Sequence, residues 1–254
     1  MCQSDHNRPR QGETLDAICQ GRLRVIQPAR GYRFSIDAVL LAGLTPVRPQ
    51  DRVVDLGTGC GIVPLLLALQ QPVAQIYGIE IQESLVSMAR RNILANGFSH
   101  LINIVQADLR HLHGEVLGSP ASIVVSNPPY RKLRSGRLNL SFEKAIARHE
   151  LLANLGDVVR AAAKLLPQKG RLAIIYPARR LPALLRELAA GGFAPKHLTL
   201  IHSTLVSEAK LIHVESLKGG GEDLRVSKPF AIYQNDGSYT VEMNAMCGNA
   251  PAVS

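Results

Sequence analysis

One stretch limits what this chain can fold into more than any other. Val53-Val54-Asp55-Leu56 is an apolar run with an acidic residue near its end. Gly57-Thr58-Gly59-Cys60-Gly61 follows, with glycine at alternate positions, and an apolar segment opens at Ile62. The pattern predicts a buried strand, a tight turn and a helix start. Glycines there let the backbone approach a ligand without Cβ interference. Pro64 suits the first turn of the helix, where its missing N–H costs nothing. A strand–turn–helix unit of this kind belongs inside a repeating β-α chain.

The rest of the sequence supplies that repeat. Strands are expected at 52–56, 75–80, 102–106, 122–126 and 171–176. Helices are expected at 62–70, 83–96, about 150–166 and 182–190. Leu85, Met88, Ala89 and Ile93 recur at helical spacing before Asn96-Gly97. Such alternation implies an α/β fold, a mostly parallel sheet with helices on both faces. Two late strands, about 197–202 and 210–216, have no helix-length segment between them and should pair antiparallel. A final strand is expected near 229–233. Ahead of the repeat, Leu23–Ile26 is a strand candidate. Ser35 or Asp37 would cap a short helix through Ala42. The expected division is an N-terminal extension with a short hairpin (1–30), a main domain (31–240) and a loose polar tail (241–254).

In sheets of this class ligands bind beyond the carboxyl ends of the strands. Four polar stations fall at four successive ends: Asp55 with its glycines, Glu80, Asp108, and Asn127-Pro128-Pro129-Tyr130. Together they define one cleft. Glu80, nineteen residues after Gly61, can accept both hydroxyl hydrogens of a ribose; otherwise it is a Glu facing a helix dipole. Asp108 can accept from an adenine amine, or else cap a helix. A dinucleotide site would share the glycines and the distal acid. Its glycine spacing differs, however, and hydride transfer has no evident use for Asn-Pro-Pro-Tyr.

That tetrapeptide has a physical role. The exocyclic amine of a nucleobase is a poor nucleophile because its lone pair is delocalised into the ring. The Asn127 side-chain oxygen and the Pro128 carbonyl can hold the two amine hydrogens, favouring a pyramidal nitrogen aimed at an electrophilic methyl. Proline places its carbonyl on a stiff chain. Tyr130 offers a ring face to the base, a contact worth about 1–3 kcal/mol. No dedicated base is needed, because the nitrogen becomes acidic once alkylated. Alone, a Pro-Pro turn would be a plain loop; the glycine turn upstream gives it this meaning.

These stations resemble the class I S-adenosylmethionine-dependent methyltransferases, in the amino-methylating branch. The chain is most similar to the bacterial tRNA1(Val) adenine-N(6)-methyltransferase family, over about Leu15 to Tyr239. The likeness rests on Phe34–Ala42, Asp55–Ile62, Gly78–Gln82, Asn127–Tyr130, Ala147-Arg148-His149-Glu150 and Lys218–Gly221. It implies a Rossmann-like three-layer α/β/α sandwich whose seven-stranded, mostly parallel sheet has an antiparallel last strand. It implies S-adenosyl-L-methionine as cofactor, lined by Asp55, Gly57, Thr58, Gly59 and Gly61. Glu80, with Ile81 beside it, would bind the ribose. Asp108 and Leu109 would meet the adenine. Asp37 would close the cleft from the N-terminal side. Asn127, Pro128, Pro129 and Tyr130 would hold the target adenine, Asn127 also bordering the cofactor.

The substrate implied is the adenosine next to the anticodon of a valine tRNA. Relatives sharing Asn-Pro-Pro-Tyr methylate DNA adenine, ribosomal guanine or a release-factor glutamine, and a non-catalytic RNA-binding role is the alternative of another class. A net charge of +9 over 254 residues favours a polyanionic partner. Arg131, Lys132, Arg134, Arg137, Lys144 and Arg148 form a basic stretch suited to RNA phosphates, or else a solvated charged loop. Cys2, Cys19, Cys60 and Cys247 have no metal or redox spacing, so no metal is expected and a reducing cytoplasm is. Neither a transmembrane run nor a signal-peptide core is evident. The expectation is a cytoplasmic monomer that does not bind membranes.

Overall fold

Val53 to Leu56 are all buried, so their strand must have neighbours on both sides and layers on both faces. The protein, seen in a computed structural model, is described over residues 8–30, 33–112, 117–129 and 153–246. Its strands are β1 (Glu13–Ile18), β2 (Leu23–Pro28), β3 (Arg52–Leu56), β4 (Gln75–Glu80), β5 (Ile102–Gln106), β6 (Ile123–Ser126), β7 (Arg171–Pro177), β8 (Phe193–His202), β9 (Ala209–Lys218), β10 (Arg225–Val226) and β11 (Phe230–Ala231). Its α-helices are α1 (Ile36–Leu44), α2 (Ile62–Gln70), α3 (Glu83–Ala95), α4 (Leu155–Leu165), α5 (Leu181–Ala190) and α6 (Val241–Met246).

The main sheet runs β10-β8-β9-β7-β6-β3-β4-β5, with β11 also paired to β8. β5, β4, β3, β6 and β7 are parallel; β9 lies between β7 and β8 and is antiparallel to both. The seven principal strands are those expected, with the last antiparallel. β10 and β11, two residues each, extend the edge by pairing parallel to β8. Chain order runs outward from β3 through β4 to β5 and then returns to β6. The switch therefore falls between β3 and β6, where such a sheet opens a crevice.

Two apolar layers flank the sheet. Leu40, Leu41, Leu65, Leu66, Val86 and Ile93 pack on one face. Val158, Val159, Ala162, Leu165, Leu184 and Leu188 pack on the other. Asn154 and Asp157 close a reciprocal capping box at the start of α4, which fixes its first turn after residue 153.

The β1–β2 hairpin is bolted to α3 by side-chain amides. Asn92 is fully buried: its Oδ1 accepts from Ile26 N at 2.7 Å, and its Nδ2 donates to Ile26 O at 2.8 Å and Cys60 O at 2.9 Å. One turn on, Asn96 accepts from Arg24 N at 3.0 Å and donates to Arg24 O at 2.8 Å. Residues four apart on a helix thus serve residues two apart on a strand, in place of a third strand. Arg91 pairs with Glu13 at 2.9 Å alongside.

The expectation of a loose segment from 241 is corrected for residues 241–246. They form α6, and Met243 is 1% exposed. Its apolar face packs on α1, where a Cβ at Gly43 would lie 2.5 Å from the Met246 side chain. Glu242, Asn244 and Ala245, polar or small beside the two methionines, hid this from the sequence pattern. Before it, Tyr233 and Tyr239 stack at 5.3 Å. Within the expected N-terminal extension, Glu13 begins β1.

Candidate active site

The turn after β3 takes the conformation its glycines suggest. Gly57, Gly59 and Gly61 have φ of 78°, 58° and 83°, where a side chain would be strained. Gly57 N and Thr58 N donate to Ile79 O at 2.9 and 3.0 Å, tying the turn to β4. A Cβ at Gly57 or Gly59 would meet nothing within 4 Å, so both present bare backbone to open space. Gly78 on β4 has the opposite reason: a Cβ there would lie 2.8 Å from Thr58.

A cleft beside this turn is lined by Asp55, Gly57, Thr58, Gly59, Cys60 and Asn127, with Pro28, Phe34, Ala38, Ile62, Val63 and Leu85 completing its wall. Asp55 is 1% exposed. Burial pushes its carboxyl up to about 7, and the Glu80 charge adds to the push; the nearby Thr58 hydroxyl opposes it. Among the described residues, Asp55 Oδ2 and Thr58 Oγ1 are buried without a hydrogen-bond partner. Such atoms are costly to leave unmatched. Bare glycine backbone beside the buried Asp55 carboxyl fits a polar, cationic ligand at this place. The Cys60 thiol is pushed up to about 12 by burial, so it stays protonated and inert.

Glu80 is engaged differently from the simple ribose picture. Oε2 accepts from Gly59 N at 3.0 Å, and Oε1 accepts from Ile81 N and Gln82 N at 2.9 Å each. A carboxylate has about four lone-pair sites, so three are used in holding the glycine turn and the entry to α3. Asp108 caps the turn at 109–111 and is clasped by Arg110, with Nε–Oδ1 and Nε–Oδ2 both 3.0 Å. The cap reading is the one seen there, and Arg110 holds the carboxyl below the usual range, against the effect of burial. Leu109 is buried beside it. Asp37 is buried in the first turn of α1 and does not line the cleft; its neighbour Ala38 does.

Asn127 and Pro128 follow β6. Ser126, fully buried, donates to Leu56 O at 2.8 Å and locks β6 to β3. Asn127 is therefore level with the glycine turn and faces the same cleft as Asp55. Pro128 is buried and Pro129 exposed. Tyr130, Arg131, Lys132, Arg134, Arg137, Lys144 and Arg148 lie outside the described residues. Sequence reasoning missed Pro28, Phe34 and Leu85 as wall residues. Phe34 is positioned through Gln27, whose Oε1 accepts from Phe34 N at 3.2 Å and whose Nε2 donates to Asp16 at 2.6 Å.

The chain is similar to known methyltransferases. The methyltransferase small domain model matches residues 35–188. A tRNA1(Val) (adenine(37)-N6)-methyltransferase from Porphyromonas gingivalis is 32% identical, covering 75% of this chain and 76% of its own. The chain belongs to the tRNA1(Val) (adenine(37)-N6)-methyltransferase family. TrmN from Thermus thermophilus is 28% identical with a TM-score of 0.51, over 71% of this chain and 48% of that one. A predicted O-methyltransferase from Agrobacterium tumefaciens has a TM-score of 0.66 at 21% identity, over 84% and 95%, a likeness of fold. The protein is thus a methyltransferase of class I architecture, and family membership implies use of S-adenosylmethionine. Among the described residues no helix is long and apolar enough to cross a membrane.

Proposed function

We propose that this methyltransferase modifies the exocyclic N(6) amine of an adenosine in tRNA, the one beside the anticodon of a valine tRNA. The observation that carries this reading is the shared cleft: Asp55 and the glycine turn on one strand end, Asn127 on the next. S-adenosylmethionine, when bound there, supplies an electrophilic methyl on a cationic sulfur. Asp55, Gly57, Thr58, Gly59 and Gly61 hold its amino-acid end, the orphaned Asp55 Oδ2 taking a cationic donor. Glu80 contributes its remaining acceptor site to a ribose hydroxyl. Leu109 borders the base, and Asp108 reaches it only by releasing part of its grip on Arg110.

The chain's own work on the target is positional. The Asn127 side-chain oxygen and the Pro128 carbonyl accept the two hydrogens of the adenine amine. That hold keeps the nitrogen lone pair directed along the line of displacement. Tyr130 stacks on the base, and the basic stretch 131–148 contacts flanking phosphates.

The test is incubation with labelled S-adenosylmethionine and separate pools of tRNA, ribosomal RNA, DNA and release factor. Label in tRNA that digests to N(6)-methyladenosine is expected. Label in protein would replace this reading with glutamine methylation. Cofactor binding without any label would replace it with a non-catalytic RNA-binding role.

A further inference from the structure

The two most exposed large apolar side chains among the described residues are adjacent. Leu205 is 69% exposed and Val206 88%, and both sit at the tip joining β8 to β9. A flexible tip would make this unremarkable, but the turn is tightly bonded. Ser207 N donates to Thr204 O at 3.0 Å, Thr204 N to Ser207 Oγ at 3.1 Å, and Ser207 Oγ to Thr204 O at 2.8 Å. His202 Nδ1 lies 2.7 Å from Ser207 O. The turn therefore holds two apolar side chains out into water.

Register places this tip at the end of the sheet that carries the cleft. Pro177, Leu211 and Ile201 are neighbours in one row across β7, β9 and β8. Ser126 pairs with Ile174, so the 178–180 turn lies one strand over from Asn127, about 5 Å sideways, and begins three residues, about 10 Å, further along the strand direction. That turn carries Arg179, exposed and with no partner among the described residues, and Arg180, which reaches Tyr176 Oη at only 3.4 Å. Lys210 is exposed at the start of β9. Glu208 is the one acid within the 203–210 segment.

We propose that Arg179, Arg180 and Lys210 hold phosphates on one side of the target nucleotide while Leu205 and Val206 wedge into the stack it leaves. An enzyme acting on a base amine must draw that base out, which costs stacking. Apolar side chains inserted between base steps are a known way of unstacking them. A neighbouring protein would be served by the apolar pair alone; the flanking cations beside a nucleobase-binding loop favour RNA. The proposal rests on the tRNA reading above.

The test uses the full-length enzyme and an anticodon stem-loop carrying 2-aminopurine beside the target adenosine. Methylation of this RNA by the unaltered enzyme checks the tRNA reading separately. Given that activity, Leu205→Ser/Val206→Ser should lower kcat about tenfold and abolish the fluorescence rise on binding, with RNA affinity changed less than about threefold. Arg179→Ala/Arg180→Ala should raise KM for RNA about tenfold and reduce the log–log salt slope by about 1.4. Lys196→Ala, at the far end of the same hairpin, is the control. S-adenosylmethionine affinity should stay the same in all three. Unchanged kcat and fluorescence in the tip variant, or an effect equal to that of Lys196→Ala, would overturn the proposal.

Discussion

Burial sets the behaviour of Asp55. Its folded pKa, about 7, lies above the ordinary aspartate value of 3.8, so the folded state holds the proton more tightly than the unfolded one. Stability is therefore lost as pH rises from about 4 to 7, and the full cost, on the order of 4 kcal/mol, applies above that window. Asp55→Asn should leave cofactor-free stability at pH 4 nearly unchanged and raise it at pH 8, as read by denaturant unfolding. A cationic ligand end needs the ionised carboxylate. Cofactor affinity should accordingly fall about tenfold per pH unit below 7, and a flat titration would remove Asp55 from the binding role. Asn127 gives a sharper contrast. Asn127→Ala should cut methylation by about 10²-fold or more while tRNA binding persists, measured by turnover and filter binding on the same preparation.

At the scale of elements, polar joints decide more than the hydrophobic pattern reveals. Asn92 serves Ile26 on β2 and Cys60 in the glycine turn at once. Asn92→Leu would strand three buried backbone groups, a loss of about 3–5 kcal/mol. Because it also frees the hairpin that carries Pro28, cofactor affinity should drop with the melting temperature. Loss of stability at intact affinity would show that hairpin and turn are independent. β9 and α1 meet at a second joint, where His213 Nε2 lies 3.0 Å from Thr45 Oγ1. Burial pushes the His213 imidazole down to about 4, helped by His197. Its contribution is present above pH 6.5 and is lost as pH falls to 4, opposite in sign to Asp55 across the same window. These two contributions offset each other, so Asp55→Asn should unmask an acid slope near 1.4 kcal/mol per pH unit. Alternating apolar runs made β3 to β7 and their helices readable from sequence. The amide bolts were not, because nothing distinguishes Asn92 from a surface asparagine until the hairpin lies against it. The same holds at the cleft: glycines and Asn127 declared themselves, whereas Glu80's three N–H partners and the Arg110 clasp on Asp108 depend on loop geometry.

Taken whole, the molecule is basic, and its cations should act collectively on a polyanion. If about four of the charges in 131–148 touch phosphate, RNA affinity should fall with salt at a log–log slope near −3. Binding measured across a salt series checks this, and a slope near zero would leave that stretch as solvated surface. The hairpin has another consequence, one of timing. Leu23 and Val25 are buried in the layer that includes Ile93, and their strand is bonded to Asn92 and Asn96. During synthesis those early apolar residues therefore have no seat until a segment some seventy positions later has left the ribosome. The hairpin, residues 13–28, must wait exposed, and the cofactor cleft, walled in part by Pro28, closes only when it docks. Variants that slow translation between β2 and α3 should therefore lower soluble yield without altering the activity of the molecules that mature.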